Sequence, residues 1–363
     1  MNALVDKHAA EWKGTDKVTS SDQSALELNP TSYGYPWMRH INVRLYSKKL
    51  GKYIVYGESK STENGRDMFK DELSIKIDGH KKISSGANYG TITISNLSYE
   101  DIIQIIDGEY YKVEIWAGYY MGSFYCYYSG SVVFVSQKIT SRKDYTAYIT
   151  FGNEYIANWT RQRLNFNLNS GINFYAAYEQ VLRLSNIKSY SISNSLREKI
   201  LPKFMQGWNT PQSFVKMMEE MNNDVFLTNE SNGWGEVVNI FTINDKPRYL
   251  IGNDNIVLLH GNPTLDKNGL KISILPVYNF NVGDIIVVDN RLIDISESTV
   301  KDNKTAFKSM YLDTSYSTAQ NDLRYYGAYM IREINFKFEN RDKTFQCDIM
   351  AKALSLRENW GYE

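Results

Sequence analysis

The sequence predicts a mainly β protein with an α+β insert, on three observations. Period-two alternation of apolar and polar residues runs from Trp37 to about Gly152 and returns after Gly252, bounded by Gly and Asn, as in half-buried strands. Between these stretches, residues 153–251 carry apolar side chains at helical spacing. The 363 residues, 42% hydrophobic and 23% charged, have the balance of a globular protein long enough to bury most of its extended surface.

Residues 1–35 are rich in Lys, Ser, Thr, Asn and Asp and do not supply enough burial to order alone, so they read as an arm that orders on a partner. The first β domain is expected over 36–152. Thr91–Ser95 places Ile92 and Ile94 on one face and hydroxyls on the other, and Lys112–Ile115 repeats the alternation. Between them Ser98-Tyr99-Glu100-Asp101 has an N-cap and an acidic first turn ahead of Ile102, Ile103, Ile105 and Ile106, which predicts a short helix ended by Asp107-Gly108. A hairpin follows, Gly130–Val135 with Tyr145–Ile149, over the polar turn 140–144.

The middle, 153–251, reads as a small α+β domain. Tyr175–Leu184 is a helix by the spacing of Tyr178, Val181 and Leu182, and Thr210-Pro211 opens a second that ends near Asn222-Asn223. Asp224–Thr228 and Glu236–Ile240 flank Asn232-Gly233-Trp234-Gly235, a hairpin signal. Over 252–363 strands are expected at Lys271–Ile274, Asp284–Val288, Tyr329–Phe338 and Thr344–Ala351, the last two a hairpin over Glu339–Lys343. This hairpin is similar to the one that ends the first β domain, with a glycine just upstream of each, Gly327 and Gly130. Two related β domains flanking an inserted module are therefore expected.

Charge and motifs exclude several function classes. Forty-one basic and 41 acidic side chains leave no net charge, and no basic stripe of the kind that neutralises phosphates is present, so no specific nucleic-acid partner is expected. No segment approaches the roughly 18 apolar residues of a membrane span, and the first residues lack a signal peptide's charge and apolar run; a soluble chain made in a cytoplasm is expected. Cys126 and Cys347 lie in separate strand-like segments and read as reduced packing residues. His8, His40, His80 and His260 have no metal-ligand companion at helical or strand spacing. Glu100-Asp101 and Glu219-Glu220 point about 100° apart on a helix and read as solvated faces. With no nucleophile elbow, P-loop, dinucleotide fingerprint or H-E-x-x-H, no enzyme activity, cofactor or metal is expected.

The 28 tyrosines outnumber Phe and Trp together. Tyrosine combines contact area with a polar tip, which suits protein interfaces and sugar stacking alike. The densest run is Tyr119–Tyr128. One reading is a strand with alternate residues in the core; the other is an exposed platform for a protein partner or a glycan. Tyr119, Tyr120, Phe124, Tyr125, Tyr127, Tyr325 and Tyr326 are the candidate interface residues.

The order of features resembles a known family. Gly90–Ser98, the Ile-rich helix, Val113–Tyr119 and Tyr128–Val132 look like the first tube-like domain of bacteriophage baseplate hub proteins, also found in contractile injection systems. Gly261–Leu265, Gly269–Ile272, Leu275-Pro276 and Val282–Asp284 are similar to the start of that family's second tube-like domain, and Gly327 with Tyr329–Ile334 and the terminal hairpin to its end. The arm and the stretch 290–324 depart from the pattern, the latter as an insertion.

The resemblance implies two tube-like antiparallel β-barrel domains and a homotrimer whose pseudo-sixfold ring adapts a hexameric tail tube to a spike or tail-tip protein. Other baseplate proteins are implied as partners, with the genome passing through the lumen, in a virion tail assembled in the host cytoplasm. It carries over no catalytic residue. The alternative is a tail or surface protein that binds host glycan through its aromatics. A cell-wall hydrolase fused to a hub is disfavoured by length.

Overall fold

The computed structural model describes residues 26–27, 39–57, 73–83, 88–119, 124–139, 145–153, 159–222, 225–231, 236–251, 259–266, 269–289, 292–295 and 326–354. Of the arm, only Leu26–Glu27 lies within them, as the short strand β1. Strands β2 (Arg39–Ser47), β3 (Lys52–Tyr56), β4 (Ser74–Lys82) and β5 (Tyr89–Leu97) precede helix α1 (Tyr99–Asp107). Then come β6 (Tyr110–Tyr119), β7 (Phe124–Ile139) and β8 (Tyr145–Gly152).

The middle holds β9 (Leu164–Leu168), α2 (Phe174–Leu184), β10 (Tyr190–Ile192), β11 (Met205–Asn209), α3 (Pro211–Met221), β12 (Val225–Ser231) and β13 (Glu236–Thr242). After it run β14 (Arg248–Ile251), β15 (Thr264–Asp266), β16 (Gly269–Ile274), β17 (Ile285–Asp289) and β18 (Asp294–Ile295). The last two strands are long, β19 (Tyr326–Glu339) and β20 (Phe345–Ala353).

Local chemistry accounts for the helices. The Ser98 hydroxyl accepts from the backbone N–H of Asp101, whose carboxylate accepts in return from the Ser98 N–H, a capping box that starts α1. Ile102 and Ile105 are buried beneath it, while Ile103 and Ile106 stay in contact with water. Asn173 caps α2 and Thr210 caps α3, with Pro211 at the first position, where no backbone N–H is needed. Helices α2 and α3 bury Phe174, Tyr178, Val181, Phe214 and Met218 in a core of their own with Trp159 and Phe166.

The mainly β class holds. A 15-stranded sheet runs β18-β15-β16-β20-β19-β4-β5-β8-β7-β6-β2-β3, with β17, β14 and β1 branching from β19. Two tube-like antiparallel β-barrel domains were expected. Among the described residues the sheet does not close, and its two halves share one apolar core. The reason is the length of β19. Its first half pairs with β17 (Met330 with Ile285) and its second with β4 (Phe336 with Gly79), so one strand belongs to both halves.

The two strand runs repeat in register. One reads β4-β5-β8-β7-β6 and the other β15-β16-β20-β19-β17; beyond these five strands they differ, β2 and β3 pairing antiparallel where β14 and β1 pair parallel. In β7–β8, Phe134 opposes Thr150, Val135 opposes Ile149, and the pairing continues to Ile139 and Tyr145. In β19–β20, Glu333 opposes Met350, Ile334 opposes Ile349, and so on to Phe338 and Phe345. Both long strands bulge at the same step, at Val133 and at Arg332. The neighbours keep step: Thr91 meets Thr150 as Lys271 meets Met350, and Asp78 meets Thr91 as Thr264 meets Lys271.

The upstream glycines do not correspond. Gly327 faces Val288 where the first run has Tyr128 facing Ile115. Gly130 instead leaves room for the Tyr128 ring and the Gly152 carbonyl, which a Cβ would strike.

Candidate interaction surfaces

The tyrosine-rich run lies where the two strand runs meet. β6 and β7 slip register between Ile115 and Trp116, so that Ile115 faces Tyr128 and Trp116 faces Cys126. The residue skipped is Tyr127. This bulge breaks the alternation, and Cys126, Tyr127 and Tyr128 are all buried. The Tyr127 ring stands edge-on to Phe338 at 4.8 Å and its hydroxyl donates to the Tyr278 carbonyl at 3.0 Å. Tyr119 meets Phe345 at 5.2 Å, also edge-on. Such pairs contribute roughly 0.5–1.5 kcal/mol each beyond their buried area. Burial pushes both hydroxyls well above the usual tyrosine range.

Two of the candidate contact residues therefore belong to the interior. Tyr119 and Tyr127 are 3% and 2% exposed, because the strands that carry them cover the second run rather than a partner. Tyr125 is half-buried against the same core. Phe124, half-buried, stacks on Trp116 at 5.9 Å beside His40. Tyr326 opens β19 opposite Asp289. Tyr120 and Tyr325 lie outside the described residues.

The seam itself is an antiparallel ladder from Glu333 and Lys82 to Glu339 and Lys76. Lys76 and Glu339 form an ion pair at 2.5 Å, and the His80 Nδ1 lies 2.6 Å from Asn335 Oδ1. Asn340 bridges outward, accepting from the Ile75 N–H and donating to the Leu73 carbonyl. Arg39 crosses to the carbonyls of Asp342 and Lys343 with its guanidinium over Phe345. One row of the sheet face spans both runs, Gln346, Lys337, Asp78, Thr91, Thr150 and Phe134, each opposite the next. It is polar and of mixed charge until it reaches Phe134.

Phe134 stands on a free edge. Beyond Ser131 the strand β7 pairs with β8 on one side and, among the described residues, with nothing on the other. Val133, Phe134 and Ile139 are 64%, 62% and 65% exposed there. The sequence reading passed over this edge, although Val132 to Val135 are four apolar residues in a row, more than one buried face of a strand uses.

The titratable groups take different positions. Glu219 does not lie on a solvated face: it is half-buried in a pocket with Ile83, Lys216, Val225, Phe226 and Arg332, where burial pushes its carboxyl up to about 7. Asp284, buried before β17, is pushed up to about 7 by the same cause and accepts from the Asn281 N–H. Cys126 and Cys347 are free thiols in the core, and burial raises Cys126 to about 12. His40 and His80 lie in strands and His260 is exposed; His8 lies outside the described residues. Among the described residues no group of His, Cys, Asp and Glu is arranged to hold a metal ion, and no helix is long and apolar enough to cross a membrane.

No protein-family model matches the chain, and no curated protein matches it. Among solved structures, several tail proteins are similar to it. The 43 kDa tail protein of prophage MuSo2 from Shewanella oneidensis is 9% identical with a TM-score of 0.49, over 88% of this chain and 98% of that one. The tail protein from Neisseria meningitidis MC58 is 9% identical with a TM-score of 0.49, over 86% and 96%. An E. coli component of the type VI secretion system, itself described as structurally similar to the T4 bacteriophage tail proteins gp27 and gp5, is 10% identical with a TM-score of 0.48, over 80% and 75%.

Proposed function

We propose that the chain is a structural hub protein of a phage tail or related injection apparatus, three copies of which close a ring between a hexameric tail tube and a central spike or tip. The observation that carries this is the repeat of strand order and register between the two runs. Three chains present six equivalent surfaces only if each chain carries the unit twice. The order of sequence features that resembles hub proteins supports the same reading.

In this reading the chain divides into an arm (1–35), a first tube-like β domain (36–152), an α+β module (153–251) and a second tube-like domain (252–363) with an insertion at 290–324. The row from Gln346 to Thr150 carries both signs of charge, which suits the wall of a channel where strong phosphate binding would stall DNA. No catalytic step is assigned. The glycan-binding alternative draws less support, because Tyr119, Tyr127 and Tyr128 spend their ring faces inside the chain.

Light scattering on the purified chain, followed by negative-stain imaging, tests the reading. A species near three times 42.0 kDa, seen as a six-lobed ring, is the expected result. A chain that stays monomeric with its spike supplied, and binds a glycan instead, overturns it.

A further inference from the structure

The seam within the chain specifies the seam between chains. In the first run, β4 lies along the second half of β19, and that half of β19 is matched, pair for pair, by the second half of β7. The matched half of β7 is the free edge with Val133, Phe134 and Ile139 exposed. The strand equivalent to β4 is β15, because Thr264 meets Lys271 as Asp78 meets Thr91.

Resting on the ring reading above, we infer that the free edge of β7 pairs with β15 of a second copy, head to tail. The register follows from the internal seam. Lys337 opposes Asp78 and Phe336 opposes Gly79 there, so Lys138 opposes Thr264 of the next copy and Gln137 opposes its Leu265. A large ring over a glycine inside the chain becomes a Gln beside a Leu between chains. Pairing removes an exposed apolar edge that a lone subunit would otherwise present to any strand it met.

The edge of β15 is not bare in the single chain. β18 covers it by a two-residue parallel bridge, Asp294 on Thr264 and Ile295 on Leu265. The same backbone groups cannot serve both neighbours, so β18 leaves when the copies join. It is a cover for the edge, two residues on the three-residue strand Thr264–Asp266. A head-to-tail contact of this kind closes into a ring or grows as an open filament, according to its rotation; the internal seam sets that rotation.

Cross-linking tests the inference. Lys138→Cys and Thr264→Cys are made as separate variants of the full chain; both positions are exposed, and the two native thiols are buried. Directly opposed residues of an antiparallel pair have Cβ atoms about 4.5–5.5 Å apart, close enough for a disulfide after slight adjustment. On mild oxidation the mixture is expected to give linked pairs and neither variant alone to do so, while the double variant gives covalent trimers.

A trimer by light scattering with no link from the mixture overturns this seam and leaves the ring reading standing. Links that grow into open filaments keep the seam and overturn the ring. A chain that remains monomeric and unlinked overturns both. Ile295→Pro, which removes a backbone N–H from β18, is expected to lower the protein concentration at which copies associate; a rise in that concentration would make β18 part of the seam and overturn its role as a cover.

Discussion

Phe336 lies across Gly79, its register partner in the seam, with the ring occupying the space where any other residue would carry its Cβ. Tyr127, Tyr128 and Phe338 surround that ring, so it has little freedom to yield. Gly79→Ala is expected to destabilise the chain by about 1–3 kcal/mol, the range of overpacking in tight cores. Denaturant melts measure it, and a smaller ring partner, Phe336→Leu, should recover part of the loss in the double variant.

Lys81 sits two residues beyond Gly79, 2% exposed, and its ammonium has no hydrogen-bond partner among the described residues. Burial holds its pKa below the usual lysine range, with Glu230 and Asp284 offsetting only part. A charge placed this way costs more than it returns, so Lys81→Met should stabilise the fold by roughly 1–3 kcal/mol. The gain should be largest below the depressed folded pKa and should fade as pH rises toward the ordinary lysine value, where the unfolded chain also loses its proton. Thermal melts at several pH values show whether it does.

Asp284 and Glu219 give stability a slope near neutrality. Both carboxyls are raised by burial to about 7, above their values in an unfolded chain, so the folded state holds protons that the unfolded state has released. Their contribution is favourable at low pH and is lost as pH rises from about 4 to about 7. Asp284→Asn should flatten that slope and raise the melting temperature most at pH 7 and above. Melting curves that keep the same slope would show that the Asp284 carboxyl ionises without cost.

Tyr127 separates interior from interface. Its ring is buried and its hydroxyl donates to the Tyr278 carbonyl in a part-buried bond, so Tyr127→Phe should cost about 0.5–1.5 kcal/mol and Tyr127→Ala about 3–5 kcal/mol. Both losses should appear at concentrations where the chain is a single copy. Ile139→Asp, on the free edge, should leave the single-copy melt within about 0.5 kcal/mol and weaken association instead. The paired measurements are a melt and a concentration series by light scattering.

What the sequence by itself determined is local. The capping box at Ser98, Pro211 at the head of its helix and the alternation through Thr91–Ser95 each act over a few residues, and α1, α3 and β5 stand where those signals put them. The repeat of the two hairpins was also legible, because period-two patterning survives in both.

What tertiary structure alone decided is which strand edges meet. Alternation says that a strand has two faces and is silent about which strand lies beside it. The seam between β4 and β19 joins residues about 250 positions apart, and no spacing rule reaches across that distance. The bulge that turns Tyr127 inward, and the length of β7 that leaves Phe134 outside, follow from that pairing. Burial is a property of neighbours, so the same aromatic residues read as a platform in the sequence and as a core in the fold.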